Sequence, residues 1–378
     1  MAVIQENQEE PVRILCVFST LDRGGSESMC MNLYRSIDRK LVQFDFVKHT
    51  PKEGAFEKEI LDLGGRIYTA PRYKIYNHVQ YIRWWKNHLK RHPEHTIIHG
   101  HYFTISAVYF KTAKKAGRIT VGHCHCTPRP SELWENKIRK VVENYYMSKI
   151  EKYSDYCLAC SKDAGKWLFL SKSFRVLNNA IDAQKFRFNK TTAKEIRKKL
   201  KLGDSFIIGS VGRFNLQKNP LGIVDIFYQI QLRRPNSKFI WVGDGPMRKD
   251  AEEKTRSLGL TDKVLFLGVR SDVPKLLQAM DVFVFPSFYE GLGVALVEAQ
   301  AAGVECFCSD AVPEEAGVTD LCHFLPLDNL NKWEEEICKI PANREHPDMM
   351  EAIINADYDI HTTSNWLQNF YLSIAGKE

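Results

Sequence analysis

The sequence predicts an α/β protein built from two doubly wound, Rossmann-like domains. Three observations carry this. Short β-rich runs alternate with longer helical stretches along nearly all of the 378 residues, the pattern of a parallel sheet covered on both faces. The alternation pauses once, in the charged stretch Ala183–Leu202, and then restarts. The length suits two cores, and 44% hydrophobic with 26% charged residues is ordinary globular composition.

In the first half the predicted strands are Arg13–Phe18, Gln43–Val47, Arg66–Thr69, Thr96–His99, Thr120–Cys124 and Tyr156–Ala159. Helices are expected at Ser26–Ser36, Phe56–Leu63, Asn77–Arg91, Ile105–Ala116, Glu132–Tyr153 and Lys162–Leu168. In the second half strands are expected at Ser205–Val211, Lys238–Val242, Lys263–Leu267, Val282–Pro286, Glu305–Ser309 and Cys322–Leu325. The helices there are Ile223–Leu232, Met247–Leu258, Val273–Ala279, Val294–Ala302 and Leu330–Cys338, and an amphipathic segment, Ser364–Ala375, ends the pattern. The expected domains are residues 1–182 and 183–360, with 361–378 a helix packing back towards the first. Ligands of such sheets bind beyond the carboxyl ends of the strands.

No run approaches the roughly 18 apolar residues of a membrane span. The polar start MAVIQENQEE does not read as a secretory leader, so a cytoplasmic protein is expected. The net charge of +7 is uneven: −3 over the first ten residues, +14 over Pro11–Lys185 and −4 over Phe186–Glu378. The basic half calls for an anionic partner: nucleic acid, anionic lipid or a pyrophosphate-bearing substrate. No nucleic-acid-binding module is present, so no nucleic acid is expected. The ten cysteines are read as free thiols. In His123-Cys124-His125-Cys126 strand alternation sends neighbours to opposite faces, so these residues and Cys157/Cys160 read as buried thiols rather than a zinc site.

Three segments carry chemistry. STLDRGGSES places Gly24 and Gly25 between a strand and a helix, where a ligand can approach the backbone and a helix N-terminus favours an anion. This is not a GxGxxG fingerprint, and a plain tight turn is the alternative. IIGSVGRFNLQKNP runs a strand into Gly212, followed by Arg213 and Lys218. Two cations in such a loop can clamp a diphosphate, or they are solvated surface charges. FVFPSFYEGLGVALVEAQAAG places Glu290 ahead of a helix and Glu298 inside it. Carboxylates accept hydrogen bonds from sugar hydroxyls, and Gly291 and Gly293 leave backbone N–H groups open at the helix start.

With these segments the chain resembles the retaining glycosyltransferases of family four. The likeness spans nearly the whole chain: the GG-S-E turn, G-R-x(4)-K-N, V-G-D-G-P, L-G-x-R-x-D-V and the glutamates eight apart around E-G-L-G. Within the family, HGHYFTISAVYFKTAKKAGRITVGHCHCT resembles transferases of bacterial capsule and exopolysaccharide assembly. The resemblance implies the two-Rossmann B architecture, with two domains facing a central cleft. It implies that Arg213 and Lys218 bind the donor diphosphate and that Glu298 accepts the ribose hydroxyls. Glu290 would hold the donor sugar, and Gly291, Leu292, Gly293 and Val294 would lend backbone contacts. Gly25, with Gly212, would approach the diphosphate. Arg270–Val273 would contact the base, and His125, with His123 as alternative, would face the donor sugar. Asn179 and Asp182 match the segment before the domain crossing.

The expected reaction moves a hexose or N-acetylhexosamine from a nucleotide sugar, UDP favoured, to a saccharide acceptor on a polyprenyl diphosphate. No metal cofactor is expected, because the cations and the helix supply positive charge, and the leaving phosphate takes the acceptor's proton. A nucleotide-sugar epimerase of the same architecture and a non-catalytic partner subunit are the alternatives. The segments HVQYIRWWKNHLKRH and Lys137–Lys152 mix aromatics (Tyr81, Trp84, Trp85, Tyr145, Tyr146) with cations, including Arg139 and Lys140. They are expected to meet an anionic membrane surface on its inner face, or else to bury the rings and solvate the charges.

Overall fold

The computed structural model describes residues 10–101, 105–125 and 137–377, with the side chains of 137–143 left out. The chain divides into two compact units, Met1–Ala180 with Ile360–Glu378, and Ile181–Asp359.

The first unit holds strands β1 (Val12–Val17), β2 (Val42–Lys48), β3 (Ile67–Thr69), β4 (Ile97–Gly100), β5 (Ile119–Cys124), β6 (Tyr156–Ala159) and β7 (Arg175–Val176). They form one parallel sheet in the order β3-β2-β1-β4-β5-β6-β7. Alternation along β1 serves both faces. Ile14 and Cys16 join a core with Phe44, Phe46 and the helix Gly25–Ser36. Leu15 and Val17 face Tyr81, Trp85, Tyr109 and Phe110 on the other side. The final helix, Ile360–Ile374, belongs to this unit, with Leu367 and Tyr371 buried in the first of these cores.

The second unit holds β8 (Phe206–Val211), β9 (Ser237–Val242), β10 (Val264–Gly268), β11 (Val282–Phe285), β12 (Glu305–Ser309) and β13 (Cys322–Leu325), in the parallel order β10-β9-β8-β11-β12-β13. In both sheets the strand order reverses at one place, between β1 and β4 and between β8 and β11. At such a switch point the loops leave in opposite directions and open a crevice. The stretch Ala183–Leu202 resolves into two helices, Ala183–Phe186 and Lys190–Lys199, the latter capped by the Asn189 side chain. The two-residue β7 and the helix Met350–Asn355 escaped the sequence reading because neither is long enough to show a period.

The described cysteines are free thiols, most of them buried. Cys124 packs in one core of the first unit with Cys157 and Cys160. Cys126 lies outside the described residues.

The aromatic-basic helix is corrected in part. Tyr81 and Trp85 on His78–Arg91 are fully buried, so they belong to the core and not to a membrane-facing surface. The apolar groups exposed there are instead Ile75, Tyr76 and Val79, at 84, 82 and 70% exposure. Tyr145 on Lys137–Tyr153 is exposed, with the Lys149 ammonium 5.0 Å from its ring. The side chains of Arg139 and Lys140 lie outside those described.

Candidate functional site

In the second unit the loops leaving β8 and β11 meet at the switch point. Gly212 ends the first strand, and its N–H bonds the Val242 carbonyl at 3.0 Å. Arg213 and Phe214 follow. A short turn, Leu216–Lys218, is capped by Asn215, and Asn219, in a left-handed conformation, starts the helix Pro220–Arg233. This brings Lys218 back over the strand ends. Its Nζ lies 2.6 Å from Glu290 Oε1 and 4.1 Å from the centre of the Phe285 ring. Gln217 Nε2 donates to the Tyr289 carbonyl at 3.0 Å and to Glu290 Oε2 at 3.3 Å. The Phe288 N–H donates to the Gln217 carbonyl at 2.8 Å. The two loops are thus one hydrogen-bonded body.

Electrostatics follow from this packing. Burial, with Arg213 nearby, holds the Lys218 ammonium below its ordinary range, and Glu290 opposes the shift. Removing Glu290's partner would strand a carboxylate that is 7% exposed, which is costly. Gly293, at φ 85°, caps the helix Val294–Ala301, a conformation that favours glycine. Leu292 is buried beneath the loop and Gly291 is exposed. Glu298 lies in the second turn between buried Val297 and Ala299, and burial pushes its carboxyl up to about 7. Burial of this kind disfavours the charged form of the carboxyl.

Two glycines let the loop after β9 pack directly on the loop after β8. A Cβ on Gly243 would fall 1.8 Å from the Gly212 carbonyl oxygen, and one on Gly245 would fall 2.6 Å from that of Phe214. Through the Gln217, Lys218 and Phe288 bonds, Arg213, Lys218, Glu290, Gly291, Leu292, Gly293, Val294 and Glu298 belong to two adjoining loops and one helix. Arg270 and Val273 lie after β10, two strands away from β8, with Arg270 paired to Asp272 at 2.6 Å and Val273 starting a short helix.

The remaining sequence-predicted residues lie at or after β1, β5 and β7 in the chain. Gly25 starts the helix after β1, and space is open where its Cβ would stand. The Glu27 carboxylate lies over this turn, accepting from Ser26 Oγ at 2.8 Å. Beyond β1, β2 and β3 the residues Ser19, Thr20, His49, Thr50, Thr69 and Arg72 line an open cavity of about 720 Å³. At the ends of β4 and β5, His125 and His123 stand with ring centroids 4.0 Å apart, and His101 Nδ1 lies 2.7 Å from His125 Nε2. Burial drives all of these imidazoles, and His99, far towards the neutral form, His125 and His99 down to about 3. Asn179 has a buried Oδ1 without a hydrogen-bond partner among the described residues, and Asp182 pairs with Lys185 at 2.9 Å.

Sequence reasoning missed Gln217, Phe285, His99 and His101. The last two carried a signal: His99-Gly100-His101 and His123-Cys124-His125 are two H-x-H runs on neighbouring strands.

Residues 192–321 match the family described as Glycosyl transferases group 1, and residues 23–185 match Glycosyltransferase Family 4. EpsF of Bacillus subtilis, named as a glycosyltransferase, is 32% identical over 373 residues, covering 95% of this chain and 96% of its own. The capsular polysaccharide biosynthesis glycosyltransferase CapH of Staphylococcus aureus is 24% identical over 370 residues, covering 96% and 99%. Over 140 residues, 36% of each chain, there is 39% identity to the Escherichia coli UDP-Gal:alpha-D-GlcNAc-diphosphoundecaprenol alpha-1,3-galactosyltransferase. Among solved structures, Anabaena HepE in complex with UDP superposes with a TM-score of 0.75 at 18% identity, covering 96% of this chain and all of that one.

Proposed function

The chain belongs to the glycosyltransferases of the two-Rossmann B architecture that serve polysaccharide biosynthesis, and from that premise we propose that it transfers a hexose or N-acetylhexosamine, with retention, from a UDP-sugar to a saccharide on a polyprenyl diphosphate. The observation that supports this reading is the single body formed by Gln217, Lys218 and Glu290 ahead of the helix Val294–Ala301, with the Arg213 charge close enough to be felt at Lys218. It joins cations and backbone N–H groups, which suit a diphosphate, to carboxylates, which suit hydroxyls. The E. coli relative's name, with its UDP-galactose and diphosphoundecaprenol, supports the choice of donor and acceptor. The UDP complex of HepE supports the donor.

The costly event is charge growing on the leaving diphosphate. Arg213, Lys218 and the helix N–H groups stabilise it in place, by on the order of a few kcal/mol per donor. That charge supply needs no metal ion, so the transfer is metal-independent. Glu298 accepts the ribose hydroxyls, Glu290 with Gly291, Leu292, Gly293 and Val294 holds the donor sugar, and Arg270–Val273 borders the base. Gly25 and Gly212 let the diphosphate approach the backbone, and His125, or His123 in its place, faces the sugar. The leaving phosphate takes the acceptor's proton. The exposed Ile75, Tyr76 and Val79 beside basic side chains suit peripheral binding to the inner face of an anionic membrane. Among the described residues no helix is long and apolar enough to cross one.

The test is calorimetric titration with UDP, GDP and ADP without metal, followed by product analysis with the UDP-sugars. UDP binding that weakens in Glu298→Ala, and sugar transfer only when acceptor is supplied, are expected. Conversion of the donor with no acceptor present would make the protein an epimerase. No binding of any nucleotide would make it a silent partner subunit.

A further inference from the structure

Three neighbouring helices of the first unit enclose a cleft that the transfer reaction does not use. Each contributes one stripe at the i, i+4, i+8 spacing that aligns side chains along a helix. The helix His78–Arg91 gives His78, Ile82 and Lys86. The helix Ser106–Lys115 gives Ala107, Lys111 and Lys115, with Val108 beside them. The helix Lys137–Tyr153 gives Tyr145, Lys149 and Tyr153. Together they bound a cavity of about 420 Å³, the size of a small-ligand site. Tyr73 and Tyr146 also line it, and Tyr73 Oη lies 3.1 Å from His78 Nδ1. Ala107 and Val108 are buried and make its apolar floor.

The lining has one sign of charge. Lys86, Lys111, Lys115 and Lys149 all border the cavity, and among the described residues around it there is no carboxylate. A cleft lined by one sign of charge focuses the field and gathers counter-ions. Lysine is a point-charge partner for phosphate, and phenol hydroxyls donate to its oxygens. A free inorganic anion would leave Ile82, Ala107 and Val108 without a partner, whereas an anionic amphiphile engages both kinds of side chain. Ile75, Tyr76 and Val79 stand exposed around the start of the same helix that carries His78 and Ile82, and such apolar groups suit entry into an acyl layer. We infer that the cleft binds the headgroup of one anionic phospholipid: the lysines and tyrosine hydroxyls hold its phosphate, and Ile82, Ala107 and Val108 meet its glycerol and first methylenes. The inference rests on the membrane reading given above and adds to it a stoichiometric site, none of whose residues takes part in the transfer.

The test titrates the full chain by calorimetry with dihexanoyl phosphatidylglycerol, kept below its micelle concentration. One equivalent is expected to bind, and the zwitterionic dihexanoyl phosphatidylcholine is expected to bind more weakly. Lys111→Gln and Lys149→Gln should each weaken binding by about fivefold. Lys90→Gln, exposed on the helix His78–Arg91 but outside the cleft, should leave it unchanged. Inorganic phosphate or glycerol phosphate binding as tightly as the lipid would overturn the inference and make the cleft a site for a free phosphate ester. Equal weakening in Lys90→Gln, or no saturable binding of the monomeric lipid, would also overturn it. Sedimentation with phosphatidylglycerol vesicles separates this inference from the membrane reading. Sedimentation without binding of the monomer would remove the cleft alone, whereas binding of the monomer without sedimentation would support the cleft and remove the membrane surface.

Discussion

Replacing Glu298 with Gln should make the second unit more stable and the protein unable to hold its nucleotide. Burial pushes this carboxyl up to about 7 from an ordinary 4.5. A group with a raised folded pKa gives stability that is complete below its unfolded value and lost as pH rises through the folded one. At 1.36 kcal/mol per unit, the wild type loses ~1 kcal/mol by about pH 5.5 and ~3 kcal/mol by about pH 8.5. Glutamine mimics the neutral acid and loses neither. The stability gap between variant and wild type should therefore widen by about 2 kcal/mol between those pH values, or roughly 4–8 °C in melting temperature for a unit of this size. Differential scanning calorimetry at the two pH values measures it. UDP affinity of the wild type should rise with pH up to about 7 and then level, since the carboxylate is the better acceptor for ribose hydroxyls. A gap that stays flat with pH would refute the argument that Glu298 is held by desolvation alone.

Arg213→Ala and Lys218→Ala should each lower kcat by roughly 10²–10³, with Lys218→Ala also destabilising the fold by stranding Glu290; initial-rate measurements showing less than a tenfold loss would contradict their role. Gly243→Ala places a Cβ on the Gly212 carbonyl and should abolish nucleotide binding by calorimetry. Gly259→Ala, also at positive φ but in open space, should cost only about 1–2 kcal/mol. Changing Ile75, Tyr76 and Val79 together to Ser should reduce sedimentation with anionic vesicles while shifting stability by no more than about 0.5 kcal/mol per site, as expected for exposed positions. Unchanged sedimentation would remove the membrane surface from this face.

Much of the fold was legible because both halves keep a strict rhythm of buried strand and amphipathic helix. Glu305–Ser309, Cys322–Leu325 and Tyr156–Ala159 stand as read. Their ends are set by local turn residues, so no long-range information was needed. The loops of the second unit were legible for the same reason: Arg213, Lys218, Glu290 and Glu298 follow strands at spacings that the residue types already explain. The helix His78–Arg91 was legible as a helix but not in its orientation. Tyr81 and Trp85 are as compatible with a membrane as with a core, and only the presence of Tyr109 and Phe110 opposite them decides the matter.

The sequence by itself determined two Rossmann-like sheets, the family of transferases and the residue types at the loop ends, because these depend on short-range periodicity and on motifs contiguous in the chain. Tertiary structure decided which side chains meet across the chain. The Lys218–Glu290 pair is 72 residues apart in sequence, the His99–Tyr371 contact 272, and the four histidines come together only because β4 and β5 lie side by side in register. Strand order is set by how a right-handed crossover returns each strand to the sheet, and no local pattern records which strand that will be beside.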